Sequence, residues 1–136
     1  MKNCLVILAS AASIMVTATV HAHHSFSSEF DREQSVEFTG VVTKIDWTNP
    51  HARFYVDGKD PAVEGDETFH WNIELVSASV LMRQGWRHDS LKVGDTMTVS
   101  ASRARKNAHV VNASVVTDAN GKRMFSRIPD QARDNE

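Results

Sequence analysis

The sequence predicts an all-β domain with one short helix, and three observations carry this prediction. Apolar and polar residues alternate in several short segments, with the period of two that is typical of half-buried strands. The period changes once, after the third segment, where serines precede a short apolar run that ends before a glycine. Two further alternating segments follow. The predicted order is therefore three strands, a short helix and two strands.

This order matches the OB-fold, a five-stranded, partly open Greek-key barrel. We therefore expect an OB-fold-like five-stranded, partly open barrel. The alternative is an immunoglobulin-like sandwich, which is disfavoured because that fold has about seven strands and no helix between the third and the fourth.

The first predicted strand covers residues 36–47 and is rich in β-branched residues. Val36 and Phe38 share one phase, whereas Val41 and the alternate residues up to Trp47 follow the opposite phase. The phase slips at Gly40, and a glycine at such a slip is typical of a β-bulge or a sharp bend.

The second and third predicted strands cover residues 51–57 and 69–75, with a polar loop between them. Each strand alternates an apolar face with a polar one. The polar faces consist of His51, Arg53, Tyr55, His70, Asn72 and Glu74. If the two strands pair, these side chains share one surface, the face that OB-folds commonly use for ligands.

The remaining elements are a helix, two strands and a final short segment. Ser77 or Ser79 can cap a helix through residues 80–82, with Gly85 just beyond its end. Strands are predicted near residues 96–101 and 111–115, with a basic loop over residues 103–107. Asn120-Gly121 is a strong turn signal before residues 122–125.

The first 22 residues have the three parts of a secretory signal peptide. Lys2 supplies the positive charge, residues 5–16 supply a mostly apolar stretch, and Val20-His21-Ala22 ends with small residues at the −3 and −1 positions. The apolar run is too short and too interrupted for a transmembrane span. Cleavage after Ala22 leaves 114 of the 136 residues. We expect a periplasmic or secreted protein without a stable membrane anchor, with one domain at residues 23–125 and a flexible tail at 126–136.

Composition limits the classes of site in the processed chain. The single cysteine, Cys4, lies in the leader, so disulfides and cysteine-ligated metals are excluded. Loss of Lys2 leaves 14 of the 15 basic residues against 17 acidic ones. This mildly acidic balance gives no general attraction to polyanions, so nucleic acid is not expected as a partner.

Several motifs occur in combination along the chain. They are HHSF at residues 23–26, EFD at 29–31, TNPHA at 48–52, LMR at 81–83 followed by GW at 85–86, SLK at 90–92 and GD at 94–95. With these motifs the chain resembles a family of small secreted bacterial proteins classed as a domain of unknown function. The resemblance covers His23 to about Phe125. It implies export and a single β-domain, and it implies no activity.

The new N-terminus is the strongest candidate for chemistry. Cleavage gives His23 a free amine beside its own imidazole, and the two nitrogens can chelate one metal in a six-membered ring. This arrangement resembles the histidine brace of secreted copper proteins, and nitrogen-rich tetragonal sites suit Cu(II) or Ni(II). Both nitrogens can lose their protons to a metal near neutral pH. His24 offers a second mode through the amine, the amide and its side chain.

Two further histidines can complete such a site. His51 and His70 lie on the predicted polar face, and Asp46 or Glu74 can serve as an oxygen ligand or can orient a histidine. The predicted metal ligands are therefore His23, His24, His51 and His70, and copper or another divalent transition metal is the expected cofactor. Phe26 and Phe30 are expected to pack the N-terminal segment against the barrel.

No arrangement typical of a catalytic centre emerges from the sequence, so a binding protein is favoured over an enzyme. The first hypothesis is a metal-binding protein. The alternative is a metal-independent module that binds an oligosaccharide, a peptide or an envelope protein. Its ligand face would consist of Asp46, Trp47, Arg53, Tyr55 and Glu74.

Overall fold

The computed structural model describes residues 26–127. This part of the chain contains two short helices and six strands. The elements are α1 (Phe26–Glu29), β1 (Phe30–Asp46), β2 (Arg53–Lys59), β3 (Thr68–Glu74), α2 (Ala78–Arg83), β4 (Thr96–Ala104), β5 (Val110–Asp118) and β6 (Arg123–Ser126). The predicted leader at residues 1–22 and residues 128–136 of the predicted tail lie outside the described residues. No helix within residues 26–127 is long and apolar enough to cross a membrane.

The strands form one partly closed sheet in the order β3-β2-β1-β4-β5-β6. The neighbours in this order are antiparallel, and β3 also pairs in parallel with β5, from Asn72 opposite Val110 to Glu74 opposite Asn112. This last pairing brings the sheet back on itself, as the predicted OB-fold-like barrel requires. The prediction of the fold class is confirmed. The structure adds a sixth strand, because residues 123–126 form a hairpin with β5 after the Asn120-Gly121 turn.

Alternation in β2 and β3 places their apolar side chains inside the barrel. Phe54, Val56, Trp71 and Ile73 are fully buried. Trp71 also stacks on Phe38 of β1, with 3.9 Å between the ring centroids. Burial of large apolar side chains from three strands gives the sheet one inner and one outer face, and only the outer face carries polar groups in β2 and β3.

The first strand is longer than predicted and its irregularity lies elsewhere. β1 begins at Phe30, because residues 30–31 pair with the end of β4 rather than following an apolar alternation. Phe38 and Val42 are both buried, so the same alternation continues through Gly40, while Val41 is exposed. The register with β2 shifts between Val42 and Lys44, so the phase slip predicted at Gly40 is wrong.

Gly40 is needed for a close approach instead. It pairs with Gly58 on β2 and with Met97 on β4, so the strand is enclosed on both sides at this residue. A Cβ atom added here would overlap the carbonyl oxygen of Asp57 and the Cγ1 atom of Val56. Gly40 thus allows β1 to turn from one half of the barrel to the other.

The helix and its cap follow the predicted pattern. The Ser77 side chain accepts a hydrogen bond from the backbone N–H of Val80 at 3.3 Å and so caps α2. Gly85 follows the helix with a positive φ of 92°. Leu81 is fully buried in the core of the barrel, so its packing fixes the helix between β3 and β4.

Candidate functional site

The outer face of β2 and β3 is polar, as the sequence predicted. The register places Arg53 opposite Glu74, Tyr55 opposite Asn72 and Asp57 opposite His70. The two ends of this face differ in burial and in their neighbours, and each end carries one of the predicted histidines.

Glu74 is the centre of the first end. Its side chain is buried, with a relative exposure of 6%. Arg53 donates a hydrogen bond from Nη2 to Glu74 Oε2 at 2.7 Å, and Asn112 donates from Nδ2 to Oε1 at 3.2 Å. The hydrogen bond to Glu74 raises the pKa of Arg53, and the carboxylate of Glu29 contributes in the same direction. The Glu74 cluster, defined as Glu74, Arg53, Asn112 and His51, is thus built from β2, β3, β5 and the β1–β2 loop.

His51 is the surface member of this cluster. Its Nδ1 atom lies 3.3 Å from the carbonyl oxygen of Leu75 and 3.6 Å from Glu74 Oε1. A carbonyl and a carboxylate can only accept, so a neutral His51 ring carries its proton on Nδ1. Its Nε2 atom then holds the free lone pair. The side chain is half exposed, and within residues 26–127 Nε2 has no hydrogen-bond partner.

A groove of about 630 Å³ adjoins the Glu74 cluster. It is bounded by the N-terminal segment, by β2 and β3, and by the loop between β4 and β5. The lining residues are Ser28, Glu29, Phe30, Arg53, Glu74, Ala104, Lys106, Asn107 and Val110. Its volume falls within the usual range for ligand sites, and OB-folds use this face with the β4–β5 loop to bind ligands.

The N-terminal segment is fixed against the barrel beside this groove. Phe30 is buried, and Phe26 stacks on it with 5.4 Å between the ring centroids. Arg105 donates from Nε to the carbonyl oxygen of Ser27 at 2.9 Å and pairs with Asp31 at 3.0 Å. The expected packing role of the two phenylalanines is therefore found in the structure, with Phe26 in a short helix that was not predicted and Phe30 at the start of β1.

His70 lies at the other end of the outer face. Its Nδ1 atom is 2.6 Å from Asp57 Oδ1, and its ring stacks on Tyr55 with 5.6 Å between the centroids. His70 pairs with Asp57, which lies six residues beyond His51 in the sequence. At about 3.3 Å per residue, His70 is therefore roughly 20 Å from the position of His51 along the strand. His51 and His70 thus share a surface, as expected, but they do not converge on one site.

Asp46 and Trp47, the remaining members of the predicted ligand face, also lie apart from each other. Asp46 lies beside Tyr55 and accepts hydrogen bonds from its hydroxyl at 3.4 Å and from Lys44 at 2.9 Å. Trp47 is turned to the other side, where it packs on the core and meets Trp86 edge-on at 6.1 Å. The predicted placement of Trp47 on the ligand face is therefore wrong. After the register shift between Val42 and Lys44 in β1, the side chain of Trp47 is turned towards the core.

Sequence reasoning missed a buried ionic network on the inner side. Arg103 was predicted in a solvated basic loop, but it belongs to β4 and is 8% exposed. It donates two hydrogen bonds to the buried carboxylate of Asp60, at 2.6 and 2.9 Å, and His109 lies 3.1 Å from the same carboxylate. The hydrogen bonds from Arg103 lower the pKa of Asp60 from 3.8 to about 2. This network joins the end of β2 to β4 and to the loop before β5, so its role is structural.

The predicted N-terminal ligands, His23 and His24, lie outside the described residues. Between residues 26 and 127, no group of three or more His, Cys, Asp or Glu side chains is arranged to hold a metal ion. The Glu74 cluster with the adjoining groove is therefore the candidate site that the described residues form.

The chain is similar to two crystal structures of the mitochondrial single-stranded DNA-binding protein Rim1 from S. cerevisiae. The first has 12% sequence identity and a TM-score of 0.46, and the match covers 62% of this chain and 92% of that one. The second has 11% identity and a TM-score of 0.43, with coverage of 62% and 91%.

These similarities correct one expectation from the sequence. Nucleic acid was excluded as a partner because the chain is mildly acidic, but the proteins similar in structure include a single-stranded DNA-binding protein. The exclusion is withdrawn, since the net charge of a whole chain does not describe a local surface. A similarity at this level of identity concerns the fold and assigns no ligand to this chain.

No curated protein gives a significant match to the sequence. A family model does match, over residues 10–112, which is most of the chain and begins before the range expected from the motifs. The chain therefore belongs to the family of unknown function DUF6152.

Proposed function

We propose that this protein is an exported metal-binding protein that holds one divalent ion, copper by preference. In the chain cleaved after Ala22, the ligands are the amine and imidazole of His23 together with the imidazole of His51. The role is binding, delivery or sequestration of the ion in the periplasm or outside the cell.

One observation carries this proposal: His51 directs a free Nε2 lone pair to the surface, beside the groove that the N-terminal segment helps to form. Glu74 contacts His51 and also lines that groove together with Ser28 and Glu29. An extended chain spans at most about 3.6 Å per residue. Because residues 26–29 form α1, only the chain before Phe26 can extend, and connectivity allows His23 to reach up to about 11 Å from Phe26.

The chemistry of the donors favours copper. An amine and two imidazoles are three neutral nitrogen ligands, and a tetragonal set of this kind suits Cu(II). Glu74 supports His51 rather than binding the metal, because Arg53 and Asn112 occupy its two oxygens. His24 remains the alternative second donor from the N-terminus.

Calorimetric titration with Cu(II) tests the proposal on chains with defined N-termini. The chain that begins at His23 should bind one ion, and a chain that retains Ala22 should bind much more weakly, because the His23 amine is then an amide. Equal affinity for the two chains would contradict the N-terminal mechanism.

Two histidine substitutions test the partner ligand. His51→Ala should weaken Cu(II) binding, whereas His70→Ala should leave it unchanged. His70 is the matched control because it also contacts a carboxylate on the outer face but lies at the far end. A loss of affinity with His70→Ala equal to that with His51→Ala would show that the metal is held elsewhere.

A second candidate function rests on the groove itself. Its volume and position suit an oligosaccharide, a peptide or a segment of an envelope protein, bound without a metal. A photoreactive amino acid in place of Lys106 should then crosslink to that ligand in envelope extract, with or without a chelator. The control is the same substitution at Asp66, on the exposed loop between β2 and β3. Equal labelling from both positions would argue against a site in the groove.

A further inference from the structure

We propose that the groove beside the Glu74 cluster binds a small carboxylate that carries an apolar chain. Arg53 binds the carboxylate, and Phe30, Ala104 and Val110 contact the chain. This inference goes beyond the proposed metal site, because it needs no metal and no residue outside 26–127. It rests on the groove of the second candidate function and assigns a different class of ligand to that groove.

Arg53 has donor groups that the protein leaves unused. A guanidinium has five N–H donors in a planar fork, and Arg53 uses Nη2 to donate to Glu74 at 2.7 Å. Within residues 26–127 the other donors have no hydrogen-bond partner, and Nε is buried in that state. A buried donor without a partner is uncommon in folded proteins. The side chain is 42% exposed and lines the groove, so its Nη1–Nη2 edge can donate two parallel hydrogen bonds, the geometry that fits a carboxylate.

The charged side chains of the lining leave room for an added anion. Glu29 and Glu74 are its two carboxylates. Glu74 accepts from Arg53 and from Asn112, so each of its oxygens already has a donor. Lys106 is a second cation in the lining, and no carboxylate between residues 26 and 127 forms an ion pair with it. Lys106 is therefore available to attract an anion that enters the groove.

Two arginines extend the positive charge beyond the lining. Arg127 is close enough to Glu74 to be attracted by its charge and close enough to Arg32 to be repelled. Arg127 donates to the carbonyl oxygen of Ala113 at 3.3 Å, and Arg32 lies over the ring of Phe26 at 5.0 Å. In the described part of the chain, neither arginine forms an ion pair with a carboxylate. Four cations thus accompany the two carboxylates of the groove, although the net charge of the whole chain is −2, and such a local excess attracts anions.

Part of the lining is apolar, which favours a ligand with an apolar chain. Phe30 and Ala104 pair at the ends of β1 and β4, and Val110 begins β5 at its pairing with β3. Phe30 is fixed by its stack on Phe26. A fully polar ligand, such as an oligosaccharide, has no group that matches these side chains. A chain that leaves the carboxylate at Arg53 can bury its CH₂ groups against them.

Octanoate tests the two parts of the ligand together. In NMR titrations of the purified protein with a chelator present, octanoate should shift the backbone signals of residues 28–30 and 104–110 in a saturable way. Octanol has the chain without the charge, and acetate has the charge without the chain, so each should bind about tenfold more weakly or worse. From hexanoate to decanoate the affinity should rise by about two- to fourfold for each CH₂ group.

Charge substitutions test the head group. Lys106→Glu places a negative charge in the groove and should weaken octanoate binding by about three- to tenfold. Lys92→Glu is the matched control, because it makes the same change at an exposed residue before β4, whereas Ala104 ends that strand. It should leave the affinity unchanged. Arg53→Lys keeps a charge beside Glu74 but removes the planar fork, so it should weaken octanoate more than octanol. If Arg53→Lys does not fold, the comparison of the two lysine variants decides.

The outcomes separate this inference from the other proposals. Octanol that binds as tightly as octanoate, or equal affinities in Lys106→Glu and Lys92→Glu, would overturn the carboxylate site. Tighter binding of octyl phosphate than of octanoate would overturn the choice of a carboxylate as the head group. Crosslinking from position 106 without any binding of octanoate would overturn this inference and leave the second candidate function standing. The Cu(II) titrations are independent of all these results, because the octanoate experiments use metal-free protein.

Discussion

The buried pair of Asp60 and Arg103 allows the sharpest prediction about the stability of the barrel. Both side chains are almost inaccessible, at 3% and 10% exposure, and two hydrogen bonds join them. Asp60→Asn keeps the size of the side chain but removes the charge opposite Arg103. The substitution therefore leaves a buried guanidinium without a counter-charge, and we expect a large loss of stability at neutral pH.

Two arguments give the size of the expected loss of stability. The pKa of Asp60 is lowered from 3.8 to about 2. Because one pKa unit corresponds to about 1.36 kcal/mol, ionised Asp60 contributes roughly 2 kcal/mol to the free energy of unfolding. Removal of one partner from a buried ion pair costs about 3–5 kcal/mol, because the other charge is left unpaired. The expected loss for Asp60→Asn at pH 7 thus lies between about 2 and 5 kcal/mol.

The pH dependence has a defined sign. A carboxyl group whose pKa is lower in the folded state stabilises the fold above its unfolded value. This contribution is therefore nearly complete above about pH 5 and is lost progressively as the pH falls through 3.8 towards 2. Asp60→Asn has no carboxyl group at this position, so its free energy of unfolding should lack this part of the decrease in acid.

Urea unfolding at a series of pH values measures both effects. Asp66→Asn is the matched control, because Asp66 also pairs with a basic residue, Lys59, but is fully exposed. An exposed pair contributes about 0–1 kcal/mol. Equal losses for the two variants at pH 7, or an unchanged acid response in Asp60→Asn, would refute the assignment of a buried ion pair.

Two further substitutions test the framework of the site. Gly40→Ala should destabilise the fold by about 1–3 kcal/mol, because the added methyl group would overlap the Asp57 carbonyl; unchanged urea unfolding would mean that β1 is not enclosed there. Ser77→Ala should cost about 1 kcal/mol through loss of the cap on α2. Ser79→Ala is its control and should cost less, since the Ser79 hydroxyl contacts Asn49 rather than the helix backbone; thermal unfolding that ranks the two serines in the opposite order would contradict the assigned cap.

Local patterns were sufficient for most of the fold. Phe54 and Trp71 lie in clean alternating segments, and a strand of that pattern has one possible inner face. Local patterns could not predict which of Val41 and Val42 is buried. The two residues are chemically identical, so only pairing with β2 and β4 decides which one is buried. The slip predicted at Gly40 failed for this reason.

Prediction of the site also required the register between paired strands, which the sequence does not show directly. Because side chains alternate in every strand, the sequence pattern correctly placed Arg53, Tyr55 and Glu74 on the same face of the sheet. The separation of His51 from His70 depends on where β3 starts opposite β2, and that is decided by the loop between them. Arg103 looked like a surface charge because its partner, Asp60, lies 43 residues away.

The most direct test of the proposed function is the mass of the protein recovered from the envelope of the cells that export it, measured without denaturation. We expect a chain that begins at His23 and carries one copper ion. A chain that begins one residue earlier or later, or a chain that begins at His23 and remains metal-free when copper is supplied, would contradict it.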